Sequence, residues 1–177
     1  MKTDVILIDN QGNGFENALA ETRKAAVYRT LDKKDSLQLE MITEEMLSLA
    51  RSVTGEMEAS FWLESADRRF ELHLTTKTAM DKEKRSLLIA SATSRKNEAA
   101  KSLLGRLRDT FEQAMAAEVV HEYEEPPAEL FGDLSYRSLD DPEWDGYERS
   151  ILKKIADDIR ISVRGGLVEM VVSKQFA

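Results

Sequence analysis

EASFWLESADRRFELHLTT, residues 58–76, decides the fold. In its first half Ala59, Phe61 and Leu63 alternate with Ser60, Trp62 and Glu64, and in its second half Phe70, Leu72 and Leu74 alternate with Glu71, His73 and Thr75. Side chains on a strand point to opposite faces in turn, so a two-residue period predicts a strand with one face buried. Ser65, Ala66, Asp67 and Arg68 form the short polar link between the halves. The stretch is therefore an antiparallel hairpin lying on a core.

Upstream the period changes to that of a helix. Leu39, Ile42, Met46, Leu49 and Val53 recur at three- and four-residue steps and make one apolar stripe. Asp35 and Ser36 are the expected N-caps of that helix, and Gly55 its C-terminal stop. A further helix is expected from about Phe15 to Leu31, and the β-branched run Val5 to Ile8 reads as a short strand. Asn10, Gly12 and Gly14 form the turn between them. Downstream, helices are expected from Met80 to about Ala90 and from about Lys96 to Val119, the latter with Leu104, Leu107, Phe111 and Ala114 on one face. Tyr147, Ile151 and Ile155 mark a last short helix. Ile159, Ile161 and Val163, the pair Gly165-Gly166, and Val168, Met170 and Val172 then form a second hairpin. The sum is an α/β (α+β) two-layer sandwich, with a mixed, mainly antiparallel sheet and helices on one face.

Composition narrows the function classes. The chain has 177 residues, 42% hydrophobic and 33% charged, which suits a single domain over residues 1–177. It holds no cysteine and only two histidines, His73 and His121, which disfavours thiolate zinc sites, cysteine nucleophiles and most histidine-based triads. No metal site is expected. No apolar run approaches the ~20 residues that span a bilayer, and MKTDVILID lacks the pattern of a signal peptide, so a cytoplasmic protein is expected. The net charge is −8, and residues 121–150 contain ten acids against two bases, so that segment carries all of it. Without a basic stripe, neither nucleic acid nor an anionic membrane is expected as a partner. The segment also holds all three prolines and five aromatics, Tyr123, Phe131, Tyr136, Trp144 and Tyr147. It reads as an insertion at about 120–146, part of which, near Leu130 to Leu139, is expected to pack on the body of the protein or on a partner.

Two stretches carry a resemblance to a known family. KKIADDIRISVRGGLVEMVVSK, residues 153–174, resembles the close of the GHKL ATPase superfamily, whose histidine-kinase-like and anti-sigma-factor domains end on a helix, an Asp-rich corner and two strands around a glycine turn. EMITEEMLSLARSV, residues 40–53, resembles the helix that carries the family's Asn box. The likeness spans roughly residues 34–78 and 146–174 and implies a Bergerat-type ATPase-like fold. In that family a helix Glu is the general base, and a residue one turn later, normally Asn, meets magnesium. Glu44 and Ser48 occupy the matching positions. The Asp that reads adenine and the glycine that follows it are matched by Thr76 and Thr78, and of the glycine-rich phosphate lid only Gly146 remains, among Asp140, Asp141, Glu143 and Asp145. All three nucleotide elements are substituted. The resemblance thus implies a degenerate member, with no cofactor, acting as a regulatory protein-interaction module, and relatives that pair through the sheet or first helix suggest a homodimer. The alternative is an active serine/threonine kinase of the anti-sigma type, with ATP and Mg2+, Glu44 as base and Ser48 on the metal. A third reading is a small-molecule site in the cleft that nucleotide once filled, lined by Glu44, Ser48, Thr76 and Ile151.

Simpler roles stand beside these. Glu44 and Glu45 also suit the solvated face of an amphipathic helix, and His73 the outward face of its strand. Residues 12–14 lack the Lys-Ser/Thr ending of a phosphate loop. Arg106 and Arg108 are expected to pair with Asp109 and Glu112, and Asp157-Asp158 to make a turn.

Overall fold

The computed structural model describes residues 1–9, 11–54, 58–101, 103–118 and 151–177. In chain order the elements are β1 (Ile6–Ile8), α1 (Phe15–Tyr28), α2 (Lys33–Thr54), β2 (Ala59–Ala66), β3 (Arg69–Lys77), α3 (Lys82–Ser91), a 3-10 turn (Glu98–Ala100), α4 (Leu103–Glu118), β4 (Asp158–Arg164) and β5 (Leu167–Gln175). Residues 151–155 are also helical. The strands make one five-stranded sheet in the order β1-β2-β3-β5-β4.

Every pairing in the sheet is antiparallel, where a mixed sheet was expected. The reason is the placement of the second hairpin. β4 runs in the same direction as β3, but β5 inserts between them and is antiparallel to both, so β4 is left at the rim. The first hairpin forms as expected, and its register sets Phe61 opposite Leu74 and Leu63 opposite Leu72.

One face of the sheet makes the core. Phe61, Leu63, Phe70, Leu72, Ile161, Met170 and Val172 are fully buried there, and the α2 stripe Leu39, Ile42, Met46, Leu49 and Val53 lies in the same cluster at 4% exposure or less. Each such large side chain contributes ~1.5–3 kcal/mol on burial. α1 joins α2 through a buried hydroxyl pair, Thr22 and Thr43, 3.0 Å apart. Because each hydroxyl also lies within reach of its own helix's carbonyl, at Ala18 and Leu39, neither is left unsatisfied.

The N-cap of α1 is Gly14, which has φ +90°. A Cβ on this residue would run into the Leu7 carbonyl oxygen, so close approach as well as φ requires glycine. At the opposite side of the sheet, the rim of β4 is capped. The Asn97 carboxamide accepts from the Val163 amide (2.9 Å) and donates to the Val163 carbonyl (3.0 Å), while Thr93 exchanges two bonds with Ile159 (2.9 and 2.8 Å). These groups substitute for a sixth strand.

Several boundaries differ from the sequence reading. α2 starts at Lys33, and the capping carboxylate is Asp32, which accepts from the Asp35 amide at 2.8 Å. α1 stops at Tyr28, where Thr30 turns the chain with φ +52°. The helix expected over 96–119 is divided into the 3-10 turn and α4, because Asn97 is held in the sheet rim instead. On α4, Leu107 and Phe111 are 73% and 65% exposed, so these two members of the expected stripe do not enter the core. Arg108 pairs with Glu112 as expected (2.7 Å), whereas Asp109 pairs with Arg85 of α3. Asp157 forms more than a turn, since its carboxylate receives the Lys174 ammonium (2.9 Å) and the Gln175 amide (2.7 Å). Among the described residues no helix is long and apolar enough to cross a membrane. Gly55 and the acidic insertion lie outside the described residues.

Candidate functional site

A cleft of about 1000 Å³ opens where the ends of β1 and β3 and the start of β2 meet. Its wall includes Asp9, Ser60, Thr76, Thr78, Lys77 and Lys84. Thr76 ends the inward row of β3 and is only 2% exposed, and its hydroxyl donates to the Glu58 carbonyl at 2.9 Å. Thr78 follows in the loop, where its amide donates to the Gly166 carbonyl at 2.9 Å. Gly166, at φ +84°, packs so tightly that a Cβ there would lie 2.6 Å from the Thr78 carbonyl. The glycine turn of the second hairpin therefore holds the loop that follows β3.

Of the two acids that line it, Asp9 and Glu58, the first is already engaged. Asp9 accepts from the Asn13 carboxamide (2.7 Å) and from the Gln11 and Asn13 amides, and the Asn13 side chain in particular holds its carboxyl below the usual value. Lys77 and Lys84 form no ion pair among the described residues, and Asp81 caps α3 by accepting from the Lys84 amide (2.7 Å). The cleft thus offers ammonium groups, hydroxyls and the exposed Glu58 carboxylate. Among the described residues no cluster of three or more His, Asp and Glu side chains is placed to hold a metal ion.

The remaining sequence candidates lie elsewhere. Glu44 is exposed on α2, and Ser48, one turn later, is half-buried; neither lines this cleft, and neither does Ile151. Gly146 lies outside the described residues. Thr76 and Thr78 are therefore brought together, while Glu44 and Ser48 are not brought to them. No family model and no curated protein matches the chain.

Two polar centres escaped the sequence reading. The buried Arg85 and Asn97 and the half-buried Asp109 form a cluster behind the β4 rim, in which the Asn97 carboxamide donates to Asp109 at 2.6 Å. The readable signal was Asn97 itself, whose side chain accepts from the Ala99 amide as an N-cap does. On the outward face of the sheet Trp62 and His73 stack, with ring centroids 4.8 Å apart and planes within 5°. Lys2 lies over Trp62 and pairs with Glu64, while Glu71 is shared by Arg69 and Arg160. Burial pushes the His73 pKa down, opposed by the nearby Glu64 and Glu71, and its Nε2 is buried without a hydrogen-bond partner. The stack and its charged rim form a surface suited to contact and show no nucleophile paired with a base.

Proposed function

We propose that this chain is a degenerate GHKL-type domain that has lost nucleotide binding and works through protein contact. The observation that carries the reading is the dispersal of the nucleotide positions. In that family a carboxylate accepts from the adenine amino group, whereas the matching Thr76 supplies a hydroxyl that donates to the Glu58 carbonyl and leaves only uncharged lone pairs to accept. Magnesium needs an oxygen ligand, and phosphoryl chemistry a base, on the same cleft, but Ser48 and Glu44 do not line it. On this reading the chain acts in the cytoplasm on a protein partner, a second copy of itself included, and a sequence without cysteine suits that compartment.

A thermal-shift titration with Mg-ADP and Mg-ATP tests it. Ligand at 100 times its Kd stabilises by about 2.7 kcal/mol. At about 2–4 °C per kcal/mol for a chain of this size, a competent site would raise Tm by roughly 5–11 °C. No shift is expected. A saturable rise of that size would overturn the degenerate reading, and transfer of labelled phosphate to a protein, abolished by Glu44→Gln with the fold intact, would favour the kinase-type reading.

A further inference from the structure

α4 leaves an apolar face uncovered at one end of the sheet. Leu107 and Phe111, one turn apart, flank a groove of about 530 Å³ whose opposite wall is Val163 and Arg164 of β4. Two exposed large side chains side by side on one groove are an uncommon use of a surface that water could cover with polar groups.

The charges around the groove are unbalanced. Each described acid nearby already has an internal partner: Glu98 holds Lys101, Asp109 holds Arg85 and Asn97, and Glu112 holds Arg108 and the Gly165 amide. Arg95, Lys96, Arg106 and Arg164 are exposed and form no ion pair among the described residues. In a chain of net charge −8, this corner presents basic groups beside an apolar strip.

We propose that the groove between α4 and the end of β4 docks an acidic peptide segment of a partner protein, which places aromatic or aliphatic side chains against Leu107 and Phe111. Phe111 alone could stack a base, but the aliphatic Leu107 beside it gains only from apolar burial, which a peptide side chain supplies and a base does not. A short acidic segment also meets only the local basic field, since charges beyond a Debye length of about 8–10 Å are screened, whereas a long polyanion meets the whole acidic chain. The inference deepens the protein-contact reading above and rests on it.

The test is fluorescence anisotropy of the full chain with a fluorescein-labelled acidic peptide carrying Phe, Leu and Trp at helical i, i+4 and i+7 spacing. Saturable binding that weakens with salt is expected. Phe111→Ser and Arg106→Glu, both on exposed positions, should each weaken it about tenfold with Tm unchanged, and an acidic peptide without apolar residues should not bind. Absence of binding, or binding that both substitutions leave intact, overturns the proposal. Tighter binding of a single-stranded oligonucleotide through the same two residues overturns it as well. Failure here without a nucleotide response removes this surface alone, whereas a nucleotide-induced rise in Tm with peptide binding intact removes only the degenerate reading.

Discussion

Replacing Asn97 tests the rim of the sheet quantitatively. The side chain is 6% exposed and bonds both backbone groups of Val163 as well as Asp109. Asn97→Ala leaves the Val163 amide and carbonyl without these partners and removes one donor to the half-buried Asp109 carboxylate. A buried group left unsatisfied costs about 1–3 kcal/mol, and water entering at the rim recovers part of this, so a net loss of about 2–4 kcal/mol is expected. For a chain of this size that lowers Tm by roughly 4–16 °C. Asn97→Asp keeps the shape, but it removes the donors and sets a second carboxylate against Asp109. Its penalty should therefore exceed that of Asn97→Ala at pH 8 and shrink as acid protonates the new carboxyl. Calorimetry or denaturant melts give the stability, and amide exchange at Val163 locates the opening. A change in Tm under about 2 °C for Asn97→Ala, with Val163 protection intact, would refute the reasoning.

Two further outcomes follow from particular residues. Gly14→Ala should destabilise clearly more than Gly12→Ala: both have positive φ, which costs another residue about 1 kcal/mol, but only Gly14 abuts the Leu7 carbonyl, and nothing lies within 4 Å of a Cβ at Gly12. Equal denaturant midpoints for the two variants would show that close approach is unimportant. His73, whose folded pKa is lowered by burial, binds its proton more readily in the unfolded chain. Its contribution is therefore complete above the ordinary histidine value of about 6.5 and is lost as pH falls from there through the lower folded value. His73→Phe, which retains an aromatic ring beside Trp62, should flatten the decline of the denaturant midpoint between pH 7.5 and 5.5; an unchanged slope counts against the assignment.

Local periodicity carried most of the architecture. The alternation in residues 58–76 fixed which side chains face the core, and the α2 stripe from Leu39 to Val53 is buried throughout. The order of the strands was not legible in the same way, because whether β4 or β5 lies beside β3 depends on pairing between segments far apart in sequence. The stripe of Leu107 and Phe111 shows the same limit: a period reveals that a face exists but does not name what covers it. Glu44 and Ser48 were correctly read as helical neighbours. Which way they turn is decided by Ile42, Met46 and Leu49, whose burial points the apolar side of α2 at the sheet and leaves Glu44 in water. Asp32 and Asp35 are both sound N-cap residues, and only the path of the chain selects between them.

The treatment of the two sheet margins bears on how copies of the chain meet one another. At one margin Asn97 and Thr93 occupy backbone groups of β4, and at the other β1 is three residues long and Gly14 sits over the Leu7 carbonyl. A ladder that is stoppered at both ends is a poor template for the open-ended stacking that leads to fibrils. Self-association of this chain is thereby steered toward its faces, where side chains choose the partner, and away from main-chain zippering, which accepts almost any sequence.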